Sequence, residues 1–287
     1  MKKNLTIPQL IITRASIVIG IIIIIFPILA IFSIAFRRPD SIYQAYLFFI
    51  PKHFSLQNFI LAKDLFGEYL GLSMARMFFN SILVTVISIA IALVITALSS
   101  FSFSNYMFKG REFLFILLIS GMMIPYQIVI IPLYLQLNKM QLLNSYFALI
   151  FTYVTFNIPI AILIFRRFFE EIPKELRDAA RIDGASDIRY FLRIVIPLSK
   201  PAIATVIIFL FLNFWNEFLF ARIFIRDYEL QTIPVVISRI GLGGTRALIP
   251  WGTYTAAIVI VIVPIMIVFF ALQKWFIRGI TMGALKG

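Results

Sequence analysis

Six apolar stretches, each about the length a helix needs to cross a bilayer, constrain this chain more than any other feature. A hydrocarbon core of about 30 Å asks for about 20 apolar residues at a rise of 1.5 Å each. Runs of that order lie at roughly Ala15 to Phe36, Ser81 to Asn105, Phe113 to Gln136, Tyr146 to Phe165, Pro201 to Ala221 and Trp251 to Gln273. Backbone buried away from water must satisfy its own N–H and C=O groups, so such runs are read as helices. The predicted fold class is all-α: a polytopic membrane protein with six transmembrane helices. With 61% hydrophobic and 14% charged residues, no polar block of domain size is left over. Residues 1–287 therefore read as a single transmembrane domain.

Lys2, Lys3 and Arg14 precede the first run, as in a secretory signal. That run is longer than a signal core, and no small-residue cleavage pattern follows before Arg37, so it reads as a retained first helix. An even number of spans puts both termini on one side. If that side is cytoplasmic, the inner segments hold 16 of the 26 Lys and Arg residues, eight of them between Arg166 and Lys200. This bias favours cytoplasmic termini and a cytoplasmic loop before the fifth span. The prolines within spans, Pro27, Pro125, Pro132, Pro159 and Pro264, read as ordinary kinks of membrane helices.

Several chemistries are excluded. There is no cysteine, and the one histidine, His53, cannot build a histidine metal site or serve a Ser-His-Asp triad from an outer loop. The formal charge of +13 is scattered between apolar runs, which argues against nucleic acid as a partner. The run Gly241-Leu-Gly243-Gly244 leads into Thr245 and Arg246 with no lysine, so the chain has no phosphate-binding loop of the ATPase type. No cofactor is expected in this chain.

The one long polar interruption runs from Glu175 to Pro197. Pro173 suits the first position of a helix, and Glu175 and Asp178 bring negative charge to its positive end. Leu176, Ala179, Ala180 and Ile182 form an apolar, small-residue stripe, while Arg177 and Arg181 share another face. Gly184 follows Asp183 where a left-handed residue ends a helix. Ser186 and Asp187 offer an N-cap and a first-turn acid for a second helix, Ile188 to Ile196, which Pro197 is expected to break. On this pattern alone, two uses fit: two short helices in an L that dock on a partner protein, or amphipathic helices lying among lipid headgroups.

This stretch resembles the cytoplasmic coupling loop by which the permease of an ABC importer engages its ATPase. The matching positions are Asp178, Ala179, Ala180, Gly184, Ile194 and Pro197, with Asp178 standing where Glu is usual and Ile196 where Leu is usual. The resemblance covers nearly the whole chain, including Asn213-Phe-Trp215-Asn216-Glu217-Phe-Leu and the C-terminal Gly279 to Gly287. It points to the smaller permease of carbohydrate ABC importers of the maltose-transporter type.

The resemblance implies the type I ABC importer permease fold in a bacterial cytoplasmic membrane, with a coupling loop at 170–197 and a cytoplasmic tail at 274–287. It assigns ATPase coupling to Glu175, Asp178, Ala179, Ala180, Asp183, Gly184, Ile194 and Pro197. It further implies a second, homologous permease, two ATPase subunits that hold ATP and Mg, an extracytoplasmic solute-binding protein, and a sugar or oligosaccharide as cargo. The tail would reach into the ATPase dimer; read without the resemblance, it is a frayed end.

Sugars are held by hydrogen-bonding groups and aromatic faces. The candidates within the spans are Tyr126, Gln127, Asn157, Asn213, Trp215, Asn216 and Glu217. Tyr126 and Trp215 fit bundle core or an interfacial belt equally well. Glu217, five residues before Arg222, fits an interfacial ion pair, a structural hydrogen bond or the substrate path. Arginines in the outer segments, Arg37, Arg38, Arg76, Arg222, Arg226, Arg239 and Arg246, suit an anionic glycan or ordinary loop charge. The alternative to an ATP-driven importer is an ion-gradient-driven secondary transporter. It calls for inverted repeats and midplane acids, and the sequence displays neither.

Overall fold

The computed structural model describes residues 7–38, 51, 53–70, 73–241 and 250–284. Lys2, Lys3, Gly243, Gly244 and residues 285–287 of the expected tail lie outside the described residues. Every regular element among the described residues is helical. In chain order these are α1 (Ile7–Ala35), α2 (Gln57–Leu70), α3 (Met74–Asn105), α4 (Arg111–Ser120), α5 (Tyr126–Lys139), α6 (Tyr146–Glu170) and α7 (Lys174–Ile182). There follow α8 (Asp187–Tyr190), α9 (Ile196–Leu198), α10 (Lys200–Trp215), α11 (Leu219–Phe224), α12 (Ile233–Gly241) and α13 (Trp251–Ala284), with shorter turns between.

Four helices are long and apolar enough to cross a membrane, within α1, α3, α6 and α13. The number rises to six if each of two bent pairs is one span. The first pair, Arg111–Met123 with Tyr126–Lys139, bends by 98°. The expected third span is therefore not one rod, and Pro125 is a break instead of a kink. Its ring pushes Ile124 into extended backbone (φ −83°, ψ 115°), and its missing N–H ends the ladder. The second pair, Asp187–Leu198 with Lys200–Trp215, bends by 76° at Ser199.

Pro197 does not end its helix as the sequence suggested. A π turn over Phe191–Val195 widens the coil just before it, which gives the ring room, and helix continues to Leu198. The expected fifth span also stops early, at Trp215, and a separate short helix, α11, follows. In the other direction, α13 stays helical through Ala284, well into the stretch expected to be tail.

The chain divides into two compact units. One draws on Met1–Met74 and Ile237–Val263. Here Asn58, fully buried, donates its Nδ2 to the Ala35 carbonyl at 3.0 Å and to the Arg37 carbonyl at 2.7 Å. It thereby satisfies carbonyls that the end of α1 leaves open. Phe36 stacks on Phe54 at 4.5 Å and lies 4.8 Å from Phe59, fixing the start of α2 beneath that end. Most of α1 is exposed and apolar on every side, from Ile17 to Leu29, a surface suited to hydrocarbon.

The other unit draws on Ala75–Val236 and Pro264–Gly287. Its core forms where α6 and α10 meet. Tyr153 stacks on Phe214 at 5.4 Å, and Phe165 and Phe169 lie one turn apart on the buried side of α6. Helix α3 lends a buried row of small residues, Ser81, Thr85, Ser88, Ala92, Thr96 and Ser100, that allows close helix approach. Ser100 Oγ donates to the Ile162 carbonyl in α6 at 3.2 Å.

Candidate functional site

Two features of the second unit carry the candidate residues: the polar elbow of α7 and α8, and a cleft between α6 and α10. Pro173 sits one position earlier than expected, as the N-cap of α7 (φ −55°, ψ 132°), and Glu175 lies in the first turn. The helix closes with two bonds, Gly184 N–H to the Arg181 carbonyl at 3.0 Å and Ala185 N–H to the Ala180 carbonyl at 2.9 Å. Gly184 has φ +73°. This is the Schellman arrangement that the glycine foretold. A Cβ at Gly184 would meet nothing within 4 Å, so the need for glycine there is a matter of φ alone.

Asp187, at the start of α8, is the anchor of the elbow. Tyr106 Oη, just past the end of α3, donates to its Oδ2 at 2.6 Å. The Nη2 atoms of Arg177 and Arg181 approach its Oδ1 at 3.7 Å each. Arg177 also donates through Nη1 to the Asn105 carbonyl and lies over the Tyr106 ring at 5.1 Å. The Tyr106 hydrogen bond, aided by the two arginines, holds the Asp187 carboxyl below its ordinary range, and the same bond raises the Tyr106 hydroxyl. Beneath this polar layer Phe101 packs against Phe191 at 4.9 Å and Tyr190 at 6.1 Å.

These contacts sort the expected coupling residues. Ala180 is buried within this chain. Glu175, Leu176, Asp178, Ala179, Ile182 and Asp183 are exposed, Ile182 to 87%. Ile194 is half-buried and Pro197 exposed. Tyr106 was missed by sequence reasoning, because nothing in its local pattern signals an aspartate 81 residues away.

The cleft has a volume of about 730 Å³, within the range of small-molecule sites. Five of the expected path residues line it: Tyr126, Asn157, Asn213, Asn216 and Glu217. The three asparagines donate to the carbonyls four residues earlier, Tyr153, Phe209 and Leu212, at 2.9, 2.8 and 2.8 Å. Each amide group so tied down leaves its side-chain oxygen as the acceptor to offer. Tyr126, Phe156, Phe209 and Phe218 supply apolar and aromatic wall. Among the described residues, no Lys or Arg lines it.

Glu217 settles into the structural hydrogen-bond arrangement, and the ion pair with Arg222 is not formed among the described residues. Its Oε1 accepts from Phe220 N–H at 2.8 Å; its Oε2 accepts from Ala221 N–H at 3.1 Å and Tyr153 Oη at 2.7 Å. The carboxylate thus closes the start of α11 and ties it to α6. Trp215 is not on the cleft: it is fully buried, stacked on Phe211 at 5.4 Å. Gln127 is exposed and does not line the cleft.

The chain as a whole is similar to several known proteins. The family described as "Binding-protein-dependent transport system inner membrane component" matches residues 95–282. An arabinooligosaccharides transport system permease protein of Halalkalibacterium halodurans is 34% identical, over 92% of this chain and 92% of its own length. A trehalose/maltose transport system permease protein of Thermococcus litoralis is 36% identical, over 72% of this chain and 74% of its own. In fold, the chain is similar to a chain of a bacterial ABC transporter that imports the acidic polysaccharide alginate. The TM-score is 0.79 at 23% identity, covering 96% of this chain and all of that one.

Proposed function

The chain belongs to the binding-protein-dependent transport system inner membrane components, the permease subunits of ABC importers, and from that premise we propose that it carries a neutral sugar or oligosaccharide. The observation behind this reading is the cleft. Three asparagines offer acceptors to sugar hydroxyls, aromatic walls suit the apolar faces of sugar rings, and among the described residues the wall holds no cation to match an anionic glycan. Glu217, the one carboxylate there among the described residues, is already held by three donors. The names of the arabinooligosaccharide and trehalose/maltose relatives support a sugar as the cargo.

In this reading the permease pairs with a second, homologous permease, receives cargo from an extracytoplasmic solute-binding protein, and docks two ATPase subunits that hold ATP and Mg. The single membrane domain has both termini in the cytoplasm. Loop 170–197 is the coupling loop, and the tail 274–287 reaches toward the ATPase dimer. The exposed face of α7, with Leu176, Ala179 and Ile182 ringed by Glu175, Asp178 and Asp183, is the docking surface. ATP binding closes the ATPase dimer, displaces this face, and swings the bundle between inward-open and outward-open states.

The test is reconstitution of the assembled importer with a cysteine at Ile182. The expected result is a crosslink from Ile182 to the ATPase subunit, with Ala180 as the buried control, and uptake of a neutral oligosaccharide that requires ATP. Uptake that continues without the ATPase and collapses with an ion gradient would replace this reading with the secondary-transporter one.

A further inference from the structure

The elbow is fastened to one particular helix, and that helix differs from the other long ones. Both α7 and α8 tie to the end of α3. Arg177 of α7 donates to the Asn105 carbonyl, the last residue of α3, and Asp187 of α8 accepts from Tyr106, the next residue. Phe101, one turn earlier, fills the space under Tyr190 and Phe191.

Among the helices long and apolar enough to span, α1, α6 and α13 contain Pro27, Pro159 and Pro264, whereas the 32 residues of α3 include neither proline nor glycine. Proline is the common site of bending in a long helix, so α3 is the stiffest of the set. It extends about 48 Å, which exceeds the hydrocarbon core of about 30 Å.

The far end of α3 is also locked. Asn80, fully buried, donates its Nδ2 to the Glu229 carbonyl at 2.7 Å and the Gln231 carbonyl at 3.0 Å, and its Oδ1 accepts from Tyr146 Oη at 2.6 Å. Ser81 Oγ, beside it, accepts from Ile233 N–H at 2.9 Å. The rod therefore has a polar lock at each end, with a seam of small residues between them.

We propose that Tyr106, Arg177 and Asp187 are positioning residues that join α7 and α8 into one piece and fasten it to α3, so that displacement of the elbow is delivered through α3 to the 229–233 segment at the opposite end. This rests on the reading of the elbow as the ATPase contact. Asp187 keeps its negative charge against the two arginines through the Tyr106 bond, so the lock stays closed at neutral pH. The three residues sit on the inner side of the elbow, away from the exposed face given to the ATPase.

The test uses the complete importer in proteoliposomes, with Tyr106→Phe, Asp187→Asn and the double variant. Three quantities are measured: ATPase co-purification, ATP turnover, and cargo imported per ATP hydrolysed. Co-purification is expected to persist while cargo per ATP falls about tenfold in each single variant, the loss typical of a hydrogen bond to a charged group. The double variant is expected to be no worse than the single ones, because both remove one lock. Asp187→Glu keeps the charge and recovers most of the ratio, which a general folding defect would not allow.

Cargo per ATP within twofold of the parent in both single variants would overturn the proposal. So would loss of co-purification in Tyr106→Phe, since the residue would then belong to the docking face. If the unmodified chain fails to retain the ATPase at all, it is the proposed function that falls.

Discussion

The elbow and the cleft lie in the same unit and hold their charges in opposite ways. In the elbow, Asp187 faces two arginines and a tyrosine at the edge of water, and the attached outer surface is exposed. In the cleft, Glu217 has no cationic partner among the described residues and is held by a tyrosine and two backbone N–H groups. The difference teaches where each feature draws its rigidity. Ion pairs near water are individually weak, which leaves the Tyr106 hydrogen bond to fix Asp187, whereas the Glu217 carboxylate is fixed by three directed donors alone and is costly to disturb.

The largest effect is expected at Glu217. Glu217→Leu strands the Tyr153 hydroxyl and two N–H groups, and should lower stability by about 3 kcal/mol or more. Thermal unfolding in detergent reads this directly, and a loss under about 1 kcal/mol would mean that the carboxylate does not organise α11. Gly184→Val comes next. With φ at +73° and no neighbour within 4 Å, the expected cost is pure backbone strain of about 1–3 kcal/mol. Uptake should be lost while binding protein still captures cargo. Gly184→Asn, tolerant of that φ, should keep most activity.

A smaller effect is expected in the cleft wall. Asn213→Leu removes one acceptor and should raise the half-saturating cargo concentration by about 3–10-fold, with basal ATP turnover unchanged. Equal weakening of both would place Asn213 in the fold instead of on the path.

The smallest effect concerns pH. The Asp187 carboxyl is held below its ordinary 3.8, so its contribution to stability is complete above the unfolded value and declines as pH falls through the lower folded value. The protection of α7 and α8 against hydrogen exchange, taken relative to the intrinsic rate at each pH, should therefore be flat from about pH 8 to about pH 5. A transition inside that window would mean that Asp187 is not held by Tyr106 and the arginines.

Legibility in the sequence followed the range of the contacts. Gly184 was readable because a helix ending needs a left-handed residue within a turn, and the Schellman bonds to Arg181 and Ala180 are local. Asn157, Asn213, Asn216 and Glu217 were readable as polar residues in apolar runs, though nothing local told them from Gln127, which does not line the cleft, or from Trp215, which is buried core. Tyr106 was invisible, since its partner is far along the chain. The 98° break at Pro125 was half visible: the proline could be seen, but whether neighbouring helices would leave a kink or a break was a question of packing.

By itself, the sequence determined the solvent of this protein, the helical form of its backbone, and the turn at Gly184. Each of these depends on hydropathy, hydrogen-bond satisfaction or φ within one or two helical turns. Only the tertiary structure decided that Ala180 faces inward, that Glu217 caps α11, and that α3 carries a lock at both ends. The tie from Glu217 to Tyr153 that fixes its local cap against α6, and the lock contact of α3 from Asn80 to Gln231, join groups 64 and 151 positions apart, and no period along the chain encodes such a meeting.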